Sequence, residues 1–147
     1  MNTTLNEIPD LPTSQVVTVS KEITFDSAHR LLYHGGKCHN LHGHTYKLKI
    51  TVFGDVDLKT GMVVDFSIIK KGLLQIVDMF DHRVIVNCKD TALVEFLREN
   101  NLAYYILETE PTAENMAKFI FDVLKATLNI AAVTVWETPT SHATVTR

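Results

Sequence analysis

A chain of 147 residues with 46% apolar and 21% charged side chains has the make-up of one compact domain with a sizeable core. Its formal net charge of −3 argues against a general nucleic-acid binder, although a few local Lys or Arg side chains could still hold a small anionic ligand. No apolar run approaches the roughly 18 residues of a membrane span, and the start lacks the charged head and apolar centre of a signal peptide. Two cysteines, one inside a histidine cluster, do not read as a disulfide framework, so a reducing cytoplasm is the expected compartment.

Residues 1–15 contain two prolines and few large apolar groups, which predicts an N-terminal arm ahead of a single domain over 16–147. From Val17 the pattern alternates. Val17, Val19, Ile23, Phe25, Ser27, His29 and Leu31 share one parity, with Lys21 the exception, and polar residues take the other. Such a period of two describes a half-buried strand. After a loop through Gly35-Gly36 a second alternation places His42, His44, Tyr46, Leu48, Ile50 and Val52 on one face. If both apolar faces look into the same core, folding back at the glycines sets His29 roughly opposite His42 or His44.

Asp65 is a candidate N-cap for an amphipathic helix carrying Phe66, Ile69, Leu73, Ile76, Val77 and Phe80 at three- and four-residue spacing. Asp81-His82 follows directly. The stretch 88–110 is the least regular; Thr91–Arg98 fits a short helix and Tyr104–Leu107 a strand. Pro111-Thr112 opens a further helix with a stripe from Met116 to Leu128. Ala132–Trp136 is strand-like, followed by Glu137, a turn and a terminal strand. These elements predict an α+β fold: a four-stranded antiparallel sheet with two helices on one face. The edges of so small a sheet would be open, which favours a homo-oligomer.

Imidazole nitrogens bind Zn²⁺ at about 2.0–2.1 Å, and catalytic zinc sites keep three protein ligands with one open position. His42 and His44, two apart on a strand, can converge on one ion, and His29 supplies the third contact. A lone histidine on an apolar face is more often a hydrogen-bonded core residue, but three on one face beside Cys38 favour a metal. Spacing leaves the thiol undecided. As a fourth ligand it closes a structural Cys/His₃ site; free on its loop, it is a base or nucleophile beside the cation.

The run Phe25-Asp-Ser-Ala-His29-Arg-Leu, then Cys38-x-x-x-His42-Gly-His44, is followed by Thr60-Gly-Met-Val-Val-Asp-Phe66, Asp81-His82, Pro111-Thr-Ala-Glu-Asn115 and Trp136-Glu137-Thr138. This ordered set, covering the chain from about residue 20 to its end, resembles the 6-pyruvoyltetrahydropterin synthase / 6-carboxytetrahydropterin synthase family. The resemblance implies a tunnelling fold (T-fold) whose subunits, as a trimer or a dimer of trimers, close a β-barrel around a pore. It implies zinc, one ion per subunit, on His29, His42 and His44, with 7,8-dihydroneopterin triphosphate as substrate. It further implies Cys38 as the catalytic proton acceptor, Asp81 and His82 as its relay, and Glu137 as the carboxylate that anchors the pterin ring. Glu114 fits the first turn of its helix, where a negative charge suits the dipole, and is a further candidate for the substrate pocket.

The short spacing from Cys38 to His42-Gly-His44 resembles the carboxy branch, which serves the 7-deazaguanine (queuosine) route and releases acetaldehyde. The pyruvoyl branch, which retains the side chain, and a non-enzymatic Cys/His₃ zinc module are the alternatives. Two departures from the family pattern stand out: Arg83-Val-Ile-Val-Asn87 after Asp81-His82, and a long segment from Cys88 to Glu110.

Overall fold

Two strands of 13 residues carry the molecule: β1, Val17–His29, and β2, His42–Gly54, paired antiparallel along their whole length. The computed structural model describes residues 15–147, so all but the last position of the predicted N-terminal arm lies outside the described residues. The odd residues of β1 and the even residues of β2 face one core. Phe25, Tyr46, Leu48, Ile50 and Val52 are buried there, and the Phe25 and Tyr46 rings stack at 5.2 Å. The register sets His29 directly opposite His42, one of the two partners the alternation allows, and Ser27 opposite His44.

The apolar face is covered by two helices. α1, Phe66–Phe80, starts at Asp65, whose carboxylate accepts the Ser67 N–H at 2.7 Å, and buries Ile69, Leu73, Ile76 and Phe80. α3, Ala113–Leu124, is capped by the Thr112 hydroxyl and buries Met116, Ala117, Ile120 and Leu124. Each of these larger side chains contributes on the order of 1.5–3 kcal/mol by leaving water. Beyond β2 the sheet continues antiparallel with β5, Ile130–Thr138, and β6, Ser141–Thr146.

The sheet differs from the expected four antiparallel strands. On the other side of β1 lie β3, Arg83–Asn87, and β4, Tyr104–Leu107, both parallel to their neighbours, giving the order β4-β3-β1-β2-β5-β6. The third helix, α2, Thr91–Glu99, connects β3 to β4 as a parallel crossover requires. The two helices expected on one face are α1 and α3, and α2 is an addition to them. Ile85, Tyr105 and Leu107 join the main core, whereas Val84, Val86 and Tyr104 pack with Leu93 and Leu97 of α2. Alternation along β3 therefore puts α2 on the opposite face from α1 and α3. A short strand buried on both faces has no polar alternation, which is why Arg83–Asn87 did not read as a strand. No helix among the described residues is long and apolar enough to cross a membrane.

Candidate metal centre

At the end of the β1–β2 pair, His29, His42, His44 and Glu137 each offer a ligand atom, all within 4.8 Å of one another. Three of the four sit on paired strand ends, and the fourth, Glu137, is the penultimate residue of β5. Gly43 between the two histidines has a steric reason. A Cβ there would lie 3.2 Å from the Ser27 carbonyl oxygen, so a side chain would push β2 off β1 where the imidazoles must meet.

The proton positions follow from the partners. His29 is fully buried, and its Nδ1–H donates to the Pro111 carbonyl at 2.7 Å, with the Tyr46 hydroxyl oxygen a second acceptor at 3.2 Å. His42 Nδ1 donates to the Asn40 carbonyl at 2.7 Å. A carbonyl only accepts, so both rings carry a hydrogen on Nδ1, and in the neutral forms their Nε2 lone pairs face each other across 3.2 Å. His44 Nε2 is buried without a hydrogen bond; Glu137 Oε1 lies 3.0 Å away but poorly aligned, and is 3.6 Å from His29 Nε2. Burial, followed by the mutual repulsion of the imidazoles, holds His29 and His44 below the ordinary histidine pKa, against the opposing pull of the Glu137 charge. Neutral rings with converging lone pairs and a carboxylate beside them are the donor set of a divalent cation, and a carbonyl on the far nitrogen is the usual outer support of a metal-binding histidine. These residues fit a metal.

The other predicted residues stand apart from this cluster. Cys38 occupies a 3-10 turn, Lys37–His39, on the loop between β1 and β2; it is partly exposed and its sulfur is not among the clustered ligand atoms. Asp81 and His82 are joined to each other, Nδ1 to Oδ2 at 2.8 Å, and hang from β1: the Asp26 N–H donates to Asp81 Oδ1 at 2.9 Å, and the His82 N–H to the Asp26 carbonyl at 2.7 Å. His82 adopts a left-handed backbone (φ 56°), and its side chain is 79% exposed. The Asp26 N–H, followed by the contact with His82, keeps the Asp81 carboxyl below the usual carboxylate range. Glu114 lies exposed on the first turn of α3. Sequence reasoning passed over Ser27, whose buried hydroxyl spans the Phe80 and Arg83 carbonyls at 3.1 and 2.7 Å and so brackets Asp81-His82. Its place on the apolar parity of β1 was the available signal.

Beside the cluster an open groove of about 430 Å³ is bordered by His44, Lys47, Trp136 and Glu137, with the Lys47 ammonium 4.1 Å from the Trp136 ring centre. A hollow of about 570 Å³ at the other end of the sheet, among Val52, Ile68 and Leu128, is remote from these imidazoles.

A family model described as 6-pyruvoyl tetrahydropterin synthase matches residues 18–147. The chain belongs to this family. The chain is 41% identical over 132 residues to a 6-carboxy-5,6,7,8-tetrahydropterin synthase of Haemophilus influenzae, spanning 84% of this chain and 94% of that protein. The protein of that name in Aquifex aeolicus is 35% identical over 153 residues, spanning 85% and 94%. The structure of 6-pyruvoyl tetrahydropterin synthase from Caenorhabditis elegans superposes with a TM-score of 0.69 at 31% identity, over 91% of this chain and 97% of that one. The fold is the T-fold of this synthase family, with six strands and three α-helices among the described residues.

Proposed function

We propose that this chain is a zinc-dependent 6-carboxy-5,6,7,8-tetrahydropterin synthase, converting 7,8-dihydroneopterin triphosphate to 6-carboxytetrahydropterin with release of acetaldehyde and triphosphate, in the cytoplasmic route to 7-deazaguanines such as queuosine. The observation that carries it is the pair of Nε2 lone pairs, 3.2 Å apart with both Nδ1 protons engaged, beside the orphaned Nε2 of His44. Names of relatives at 35–41% identity support the carboxy branch.

His29, His42 and His44 would hold the ion, and a zinc ion there supplies Lewis-acid stabilisation of negative charge developing on the substrate's side-chain oxygens. Cys38 is the proton acceptor on the adjoining loop; its position outside the ligand cluster supports an open site over a closed Cys/His₃ one. Asp81 holds His82 by its Nδ1, and the pair relays the proton. The exposed His82 suits a role across a subunit contact, in keeping with a homo-oligomer, a trimer or a dimer of trimers, joined through the open sheet edges β4 and β6. Glu137 accepts hydrogen bonds from the pterin amino and amide N–H groups in the groove beside Trp136, and Glu114 is a secondary contact.

Product analysis decides the reading. Incubation of the zinc-loaded protein with 7,8-dihydroneopterin triphosphate should yield acetaldehyde and a carboxylated pterin. A product retaining its three-carbon side chain would make it the pyruvoyl synthase, and no turnover in zinc-replete protein would refute both.

A further inference from the structure

The excursion from Cys88 to Glu110, which departs from the family pattern, has both ends tied to the loop that carries Cys38. At its start Asp90, 3% exposed, caps α2 through the Leu93 N–H and accepts a two-pronged contact from Arg30, the residue after His29. At its end Glu110 is the meeting point of three segments. Its Oε2 accepts the Leu32 N–H at 2.9 Å, and its Oε1 accepts the side-chain amide of Asn87, the buried last residue of β3, at 2.7 Å. Its own carbonyl receives the Asn115 amide at 2.9 Å, which fixes the start of α3. The next residue, Pro111, is the one whose carbonyl orients the His29 imidazole.

From Leu32 the connection runs through its neighbour Leu31 to the backbone of Cys38. The Leu31 N–H donates to the Cys38 carbonyl at 2.9 Å, and His39 Nδ1 reaches the Leu32 and Leu31 carbonyls at 3.1 and 3.3 Å. A single two-residue unit, Glu110-Pro111, thus grips the Cys38 loop with one group and a proposed metal ligand with the next. The chemistry of the grip requires a carboxylate. Both of its partners are N–H donors, so both terminal atoms must accept, and a glutamine presents one acceptor and one donor in the same shape.

We infer that Glu110 is a positioning residue that sets the Cys38 loop against the three imidazoles, with Asp90 as the second point of the same brace. The kinetic consequence rests on Cys38 being the proton acceptor; the position of the loop does not. The α2–β4 excursion then contributes to the site without lining it.

The test uses the full-length zinc-loaded chain in a Cys88→Ser background, which leaves Cys38 as the one thiol. Glu110→Gln should raise the rate of Cys38 alkylation by iodoacetamide several-fold while zinc content stays at the parent value. Turnover of 7,8-dihydroneopterin triphosphate should show kcat lowered about tenfold with KM within about twofold, as expected for a reacting group displaced by a fraction of an ångström. Asp90→Asn, which retains a capping oxygen for α2, should move both readings in the same direction by less, and it decides the matter if Glu110→Gln does not fold. Altered alkylation in a chain without turnover would sink the reading of Cys38 and leave the brace standing. An alkylation rate equal to the parent's, or a rise that appears only together with loss of zinc, overturns the brace.

Discussion

Adding zinc back to stripped protein should raise its melting temperature through the imidazole cluster. The stripped protein holds two lone pairs facing each other at 3.2 Å and a buried, unpartnered His44 Nε2. An unsatisfied buried group costs about 1–3 kcal/mol, and a cation at the centre removes that cost. By mass action, an ion present at about a thousandfold excess over its dissociation constant stabilises the folded state by about 4 kcal/mol. For a domain of this length each kcal/mol is worth about 2–4 °C, so the predicted rise is about 8–16 °C. His42→Ala is the informative variant, because His42 is half-buried at a strand end and its removal opens no hole in the core. Differential scanning calorimetry of parent and variant, each chelated and then titrated with zinc, reads the effect directly. The variant should retain only a small part of the rise. Equal zinc-dependent rises in the two proteins would refute the assignment of the ligands.

Three further consequences can be checked separately. Cys38→Ala should keep its zinc, measured by elemental analysis, and lose turnover by about 10²–10⁴-fold, the usual contribution of a positioned base. The stripped protein should lose stability on acidification: burial lowers the folded pKa of His29 and His44, so the unfolded chain takes up protons first, and stability present above ~6.5 is lost as pH falls toward the lowered values. Urea melts from pH 8 to 5 that coincide would contradict this. Ser27→Ala removes the hydroxyl that spans the Phe80 and Arg83 carbonyls, so it should cost ~1–2 kcal/mol in chemical denaturation.

Much of the site could be read from the chain because β1 and β2 are long and strictly alternating. Period two places His29, His42 and His44 on one face, and facing both apolar stripes to one core narrows the partner of His29 to His42 or His44, of which the register selects His42. Asp65 as an N-cap and Pro111-Thr112 as a helix opening mark the starts of α1 and α3, because both signals are local. What stayed hidden depends on contacts between distant segments. Val84, Ile85 and Val86 are buried between two layers, and nothing in so short a run says which neighbours it pairs with or that α2 lies on the opposite face. Glu110 accepts from Leu32 and Asn87, 78 and 23 residues away in sequence, and no local pattern announces such a contact. Glu137 was legible as part of Trp136-Glu137-Thr138, but its approach to within 3.0 Å of His44 depends on the register of β5 against β2.

The central claim is an open metal centre with the Cys38 thiol outside the coordination shell. X-ray absorption at the zinc edge of the reconstituted protein tests it most directly. The expected shell holds nitrogen and oxygen donors alone, at about 2.0–2.2 Å. A sulfur scatterer at about 2.3 Å, abolished by Cys38→Ala, would show the thiol to be a ligand and the site to be closed.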